Sequence, residues 1–187
     1  MAADRIGRIV SQGTSLQPQK AFLKMNPLRH LAVAAVCLAL AGCFTSKQDL
    51  VGNDAVADHA VITFIGEEDD AKPVTFTREG NHYVTRGDGQ EVSLHLKPIG
   101  DDYHVAQLSG PGDDGSPQFL YGFMRLDVPA GVAQLWLMVG SDADVRPGLS
   151  ECEDVICIDD LAAYVAYGQE KIAADEEPDT TFKVTVE

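Results

Sequence analysis

Short runs in which apolar and polar residues alternate dominate the chain after about residue 60. The clearest is the run 92–97, where every second residue is Val or Leu, the period-two pattern of a half-buried strand. Clusters of Gly, Pro, Asn and Asp separate it from four further β-type runs, at residues 61–65, 74–77, 82–85 and 103–108. This spacing predicts an antiparallel meander that forms a barrel or a sandwich.

Two later runs, 118–128 and 132–139, are apolar on both faces. Pro129-Ala130-Gly131 separates them, which predicts a hairpin of two long strands. In the second run one face carries Ala133, Leu135, Leu137 and Val139, and the other carries Gln134, Trp136 and Met138. An antiparallel sheet at a protein surface normally has one polar face. Another element must therefore cover the second face.

An apolar stripe with helical spacing offers this cover, and its members are Leu161, Tyr164, Val165, Gly168 and Ile172. Asp159 or Asp160 is available as the N-cap, and Pro178 lies beyond the end. A last strand follows, in which Phe182, Val184 and Val186 alternate with polar residues.

These elements predict an α+β fold that is mostly β: a curved antiparallel sheet or small barrel with one helix before the last strand. We expect the helix to pack over the face that bears Trp136 and Met138. The order of the strands does not follow from the pattern.

The run 31–40 near the start of the chain is apolar without interruption, and Lys24, Arg29 and His30 precede it. A basic region followed by about 7–15 apolar residues and then small residues is typical of a secretory signal. A helix that spans a membrane needs about 20 apolar residues, so this run is too short to remain as an anchor.

The segment Leu40-Ala41-Gly42-Cys43 ends this run and resembles the lipobox of bacterial lipoproteins. The resemblance implies that Cys43 is lipidated on its sulfur, that the bond before it is cleaved, and that the new amino terminus receives a further acyl chain such as palmitate. Two acyl chains give stable attachment to a lipid bilayer. The alternatives are an ordinary secretory signal cleaved near Ala41, with Cys43 as a bystander, or a short buried helix.

The position of the lipobox divides the chain into three expected segments. Residues 1–42 are expected to be the signal peptide, with Met25 as an alternative start because a signal normally begins close to its basic region. Residues 43–58 lack periodicity and are mostly polar or small, so we expect a lipidated tether. Residues 59–187 are long enough for a single β-rich domain.

The resemblance also bears on location. Phe44 follows Cys43 at the position where an aspartate retains enteric lipoproteins at the inner membrane. We therefore expect attachment to the outer membrane of the cell envelope, on the periplasmic side, with the inner membrane as the alternative. The C-terminal part, with a cysteine pair, a helix that begins Asp159-Asp160-Leu161 and a final strand, resembles small Gram-negative lipoproteins that have no assigned function.

Acidic residues greatly outnumber basic residues in the expected mature chain. The segment 1–42 carries five bases and one acid, so residues 43–187 carry 28 acids and nine bases, a formal net charge of −19. Such a surface repels nucleic acid and favours cationic partners. The acids also lie in loops, where turn chemistry and solvation alone explain them.

Two cysteines, Cys152 and Cys157, remain once Cys37 leaves with the signal and Cys43 is lipidated. An even pair in an exported chain predicts a disulfide. A metal or redox pair is the alternative. However, the spacing is not that of a thioredoxin-like motif, and no histidine lies nearby in sequence.

Three histidines, His82, His95 and His104, fall on successive predicted strands and could converge as metal ligands. Each alternates with apolar neighbours, which favours solvent-facing positions and predicts no metal site. Residues 112–116 and 141–144 resemble parts of calcium loops but lack the downstream bidentate glutamate, and turns explain both.

The mature chain contains no nucleophile elbow, zinc-protease helix motif or phosphate-binding loop, so we predict no catalytic residue and no cofactor. The leading hypothesis is a non-enzymatic lipoprotein that binds a basic protein partner, such as a host hydrolase, through its acidic surface. The alternative is a carrier of an apolar ligand in the barrel, with a candidate pocket at Tyr121, Phe123, Trp136 and Met138. Core packing under the helix is the preferred explanation of these residues.

Overall fold

The computed structural model describes residues 44–68, 71–87, 89–112, 115–137, 145–152 and 155–187. Within these ranges the strands are β1 (Phe44–Ser46), β2 (Val61–Gly66), β3 (Val74–Glu79), β4 (His82–Gly87), β5 (Gln90–Gly100), β6 (Tyr103–Pro111), β7 (Pro117–Asp127), β8 (Val132–Trp136), β9 (Leu149–Cys152), β10 (Val155–Ile158) and β11 (Thr180–Val186). The helices are α1 (Leu161–Ala173) and a short 3-10 helix (Gly52–Asp54).

Eight strands close into an antiparallel barrel. Strands β2 to β8 pair consecutively, and β11 closes the barrel because it pairs with both β8 and β2. Phe182 of β11 lies opposite Gly66 on one side and Ala133 on the other. The predicted fold, mostly β with one helix before the last strand, is confirmed.

Strand β7 pairs with two different strands along one edge. Its first half pairs with β1, where Phe44 lies opposite Tyr121, and its second half pairs with β8, where Phe123 lies opposite Trp136. Strand β10 joins β1 in parallel, and β9 joins β10 in antiparallel. A three-stranded side sheet therefore branches from the barrel at β7.

The segment 44–58 belongs to the domain, which corrects the expected tether. Phe44 is 0 % exposed and contacts the rings of Tyr164 and Tyr167, each at 5.1 Å between centroids. Val51 and Ala55 are also buried. The tether prediction is wrong here because partners distant in sequence, and not a local periodicity, bury these scattered apolar residues.

The apolar side chains form two cores on opposite sides of the barrel wall. The interior core comprises Ala57, Ile62, Phe64, Phe76, Tyr83, Leu94, Leu96, Ala106, Met124, Ala133 and Val184. The outer core lies between the wall, the side sheet and α1, and comprises Phe44, Val51, Ala55, Val105, Tyr121, Phe123, Trp136, Leu149, Ile156, Ile158, Tyr164 and Tyr167. Two cores explain why β7 and β8 are apolar on both faces.

Helix α1 begins at an Asp160 cap, whose carboxylate accepts a hydrogen bond from the Ala162 N–H at 2.9 Å. Its apolar stripe faces the outer core, where the ring of Tyr164 lies 4.7 Å from that of Phe123. Gly168 sits directly against Phe123, since a Cβ atom at this position would lie 2.1 Å from the ring. A glycine in mid-helix is unfavourable by itself, so close packing accounts for it here.

Trp136 is 5 % exposed and belongs to the outer core, as predicted. Its indole N–H donates to the Glu176 carbonyl at 2.8 Å, in the segment that follows α1. The opposite face of β8 carries Ala133, which lies in the interior core. Met138, the other residue on the predicted outer face, lies outside the described residues, as does the expected end of the strand at Val139.

The predicted disulfide is confirmed: Cys152 and Cys157 are bonded, with their Cα atoms 5.6 Å apart. It links the two strands of the β9–β10 hairpin. Cys157 lies opposite Thr45 of β1, so the bridge lies where the hairpin pairs with β1. Closing so short a loop stabilises a fold by about 2 kcal/mol in the chain-entropy model.

Replacing Trp136 with Ala should lower the free energy of unfolding by about 3–5 kcal/mol, because it removes a core aromatic side chain. Urea denaturation followed by circular dichroism measures the change. The exposed Thr185 of β11 provides the control, since Thr185→Ala should change stability by less than about 0.5 kcal/mol. A similar small loss for Trp136→Ala would contradict the outer core described here.

Candidate functional site

Segment 47–58, here called the strap, crosses the outer face of the barrel wall at β7 and β6 and reaches the interior core at Ala57. The Tyr121 hydroxyl holds its start, because it donates to the Gln48 carbonyl at 2.9 Å and accepts from the Leu50 N–H at 3.1 Å. Burial raises the pKa of Tyr121 to about 12, so the hydroxyl keeps its proton and serves both partners. Further along, the Val56 N–H donates to the Leu96 carbonyl of β5.

Gln107 of β6 holds the centre of the strap. Its side chain is 0 % exposed, and its amide oxygen accepts a hydrogen bond from the Val51 N–H at 3.1 Å. Its amide nitrogen donates to the Asp49 carboxylate at 2.9 Å. Both ends of a buried polar group are thus paired, which avoids the cost of burying it without a partner.

Beside the strap lies a cleft of about 540 Å³, here called the His cleft. It is lined by Asp49, Leu50, Val51, Gly52, Asn53, Asp54, Asn81, His82 and His95. One side of the cleft is strap and the other is the outer face of β4 and β5. The Asn81 amide ties the two sides together, since it donates to the Gly52 carbonyl at 3.2 Å.

His82 and His95 meet in this cleft. The register of β4 and β5 pairs Tyr83 with Leu94, which places the two histidines opposite each other. Their rings stack, with 4.7 Å between centroids and 3° between planes. His95 is half-buried, and its Nδ1 has no hydrogen-bond partner among the described residues.

The surroundings of His95 favour its neutral form. Burial is the main cause that lowers its pKa, and the neighbouring His82 adds to this. The Asp49 carboxylate and a hydrogen bond to the Gly52 backbone act in the opposite direction but are weaker. His95 does lie on the outer face, as a solvent-facing residue would, but the strap covers part of it and leaves it half-buried.

His104, the third histidine considered as a metal ligand, lies elsewhere. It shares the face of β6 with Ala106 of the interior core, and its Nδ1 lies 3.1 Å from the Asp102 carbonyl. Burial lowers its pKa. The three histidines do not converge, and the described ranges contain no group of three or more His, Cys, Asp or Glu placed to hold a metal ion.

The aromatic residues of the candidate pocket are packed side chains. Tyr121, Phe123 and Trp136 are buried in the outer core, on the side of the wall that faces away from the barrel interior. They line neither the His cleft nor a second outer cleft of about 330 Å³, which is lined by Glu91, Ser93, Ser109, Gly110, Pro111, Gly115, Pro117 and Phe119. Core packing, the preferred interpretation, describes all three, while Met138 lies outside the described residues.

The two segments that resemble parts of calcium loops are only partly described. Where residues 112–116 are described they form a turn, with the Gly112 N–H donating to the Ser116 carbonyl at 2.8 Å. Residues 141–144 lie outside the described ranges, as do residues 1–43 with the lipobox.

The fold defines this chain as a closed eight-stranded antiparallel barrel with an outer layer of one helix and a side sheet. Comparison with protein-family models, curated proteins and solved structures finds no match to it. None of the helices in the described part of the chain is long and apolar enough to cross a membrane.

Stability should fall as the pH is lowered through 6.5. Burial lowers the pKa of His95 and His104 in the folded protein. Histidines of the unfolded chain titrate near 6.5, so as the pH falls the unfolded state binds protons before the folded state does. The free energy of unfolding therefore decreases with falling pH. The measurement is the free energy of unfolding of the wild type, His95→Gln and His104→Gln at about pH 7.5 and about pH 5.

Each variant should lose less stability between these pH values than the wild type, because one acid-sensitive group is gone. Thr185→Ala, which removes no titratable group, serves as the control and should keep the wild-type dependence. An equal loss in wild type and both histidine variants would contradict the assigned pKa directions.

Proposed function

We propose that this protein is a lipid-anchored, non-enzymatic protein of the cell envelope that binds a basic macromolecule on the outer surface of its barrel. The observation that carries the proposal is the position of the clefts on the outside of the barrel. Side chains pack the barrel interior, while both clefts described above lie on the outer wall. A partner would therefore meet the outside of the barrel.

The charge of that surface supports a basic partner. Residues 43–187 contain nine bases, and among the described residues four of them are in ion pairs with carboxylates. Arg86 alone contacts both Glu79 and Glu91. The acidic excess is thus left largely uncompensated, which attracts cationic proteins over a distance that salt shortens.

One group of exposed acids lies just after α1, where Asp175, Glu176, Glu177 and Asp179 follow one another closely. The segment is held to the barrel through its backbone and one side chain, since the Leu137 N–H donates to the Asp179 carboxylate at 2.7 Å. A fixed array of like charges binds a complementary surface without losing much conformational freedom on binding.

The anchor in this proposal is Cys43, lipidated as its lipobox implies. The next residue, Phe44, is fully buried and hydrogen bonded into the sheet through β1. Consecutive Cα atoms are about 3.8 Å apart, so no flexible spacer would separate the acyl chains from the domain. The domain would be held close to the bilayer, and its partner would have to be reachable there.

A carrier of an apolar ligand inside the barrel is the second candidate, and the closed barrel favours it. Pockets for ligands of drug size enclose about 300–1,000 Å³. The interior is filled with large side chains such as Phe64, Phe76 and Tyr83, each less than a tenth exposed. A ligand would have to displace them, so we place binding on the outside.

Replacing Cys43 with Ala should abolish incorporation of labelled palmitate and release the protein from membranes, because it removes the acylated sulfur. Fractionation of the cell envelope and labelling measure the two effects. Cys37→Ala is the matched control, since this cysteine lies within the expected signal peptide and should have no effect. Continued membrane association of Cys43→Ala would show that the lipobox interpretation is wrong.

Neutralising the acids that follow α1 should weaken capture of the partner. We expect Asp175→Asn with Glu176→Gln and Glu177→Gln to recover less of one dominant partner from crosslinked envelopes, and the wild type to recover less of it as salt rises. Glu67→Gln with Glu68→Gln, on the exposed turn after β2, is the matched control. Salt-independent capture, or capture of nothing above background, would contradict an acidic contact surface.

A further inference from the structure

The His cleft brings two imidazole rings together by the register of the barrel wall. Side chains directly opposite each other on antiparallel strands have Cβ atoms about 4.5–5.5 Å apart. His82 and His95 occupy such positions, and their ring centroids are 4.7 Å apart. Because the two side chains are attached at adjacent positions of the sheet, both rings can contact the same small ligand.

Hydrogen bonds leave one ring nitrogen of His95 without a partner among the described residues. A neutral imidazole carries one nitrogen lone pair that can bind a metal ion. Nδ1 of His95 is buried and makes no hydrogen bond to the described residues. Nδ1 of His82 lies 3.4 Å from the Asn81 amide oxygen, at the limit of a hydrogen bond.

Oxygen-bearing side chains line the same cleft as the pair. The Asp49 carboxylate lines the same cleft and is fixed by the Gly52 N–H at 2.6 Å and by Gln107 at 2.9 Å. It is close enough that its charge acts on His95. The described part of the chain contains no group of three or more His, Cys, Asp or Glu placed to hold a metal ion, so the two histidines would be the principal protein ligands.

We propose that His82 and His95 together bind one transition-metal dication of the Zn²⁺, Ni²⁺ or Cu²⁺ class in the His cleft. Each ring donates one nitrogen lone pair and displaces one water from the hydrated ion, and the remaining waters complete the coordination sphere. The rings would turn about their Cβ–Cγ bonds from stacked to convergent. Imidazole ligands suit these metals, whereas Mg²⁺ and Ca²⁺ prefer oxygen.

The net charge of −19 on residues 43–187 supports the site, since it raises the local concentration of every dication near the surface. Charge alone does not distinguish one dication from another. Selection would come from the histidine pair. The inference does not depend on the lipid anchor or on a protein partner.

The test uses the full-length protein and Ni²⁺ alone. Calorimetric titration should show one Ni²⁺ bound per chain, with affinity reduced at least about tenfold in His82→Gln and in His95→Gln. His104→Gln is the matched control and should bind as the wild type does. Excess Mg²⁺ should not compete, and affinity should decline as the pH falls because protons occupy the same nitrogens.

A second measurement needs no variant. Paramagnetic Cu²⁺ at a small fraction of the protein concentration should broaden the imidazole resonances of His82 and His95 before those of His104. Unchanged Ni²⁺ affinity in both variants would overturn the proposal, as would an equal loss in His104→Gln or broadening that spares the pair. Circular dichroism of each variant separates loss of binding from loss of folding.

Discussion

Strand β7 has two successive neighbours along one edge, and the rest of the architecture depends on this division. Where β8 pairs with it, the barrel wall continues; where β1 pairs with it, a side sheet branches away. Backbone groups in the first half of β7 would otherwise lie unpaired at an open seam, and such groups are costly when buried. The entry of Phe44–Ser46 satisfies them and brings β10 and β9 with it.

The same division explains the outer core. An ordinary small barrel buries one face of each strand, but β7 and β8 bury both, because the side sheet and α1 cover the outside. Gly168 shows how closely the cover fits, since any side chain there would overlap Phe123. The aromatic rings of Phe44, Tyr164 and Phe123 then form one contact network across β1, α1 and β7.

Much of the fold could be predicted from the sequence because its signals are local. Period-two strands, the Asp160 cap and the helical stripe depend on neighbours within a few residues, as does the cysteine pair. The strap could not be predicted, because its burial depends on Tyr121 and Gln107, more than 50 residues away. For the same reason, alternation alone assigned His82 and His95 to solvent. Their meeting depends on strand register, and their cover depends on the strap.

The His cleft is in turn a consequence of how the strap is fixed. The strap between β1 and Val56 gains few backbone partners from the sheet, so side chains of the barrel wall replace them. Removing the Gln107 amide would leave the Val51 N–H unpaired and, among the described residues, the Asp49 carboxylate held only by the Gly52 N–H. An unsatisfied buried group costs about 1–3 kcal/mol. This buried glutamine thus fixes the centre of the strap, as Tyr121 fixes its start. The strap in turn forms one side of the cleft. It also carries Asp49, the carboxylate whose charge acts on His95.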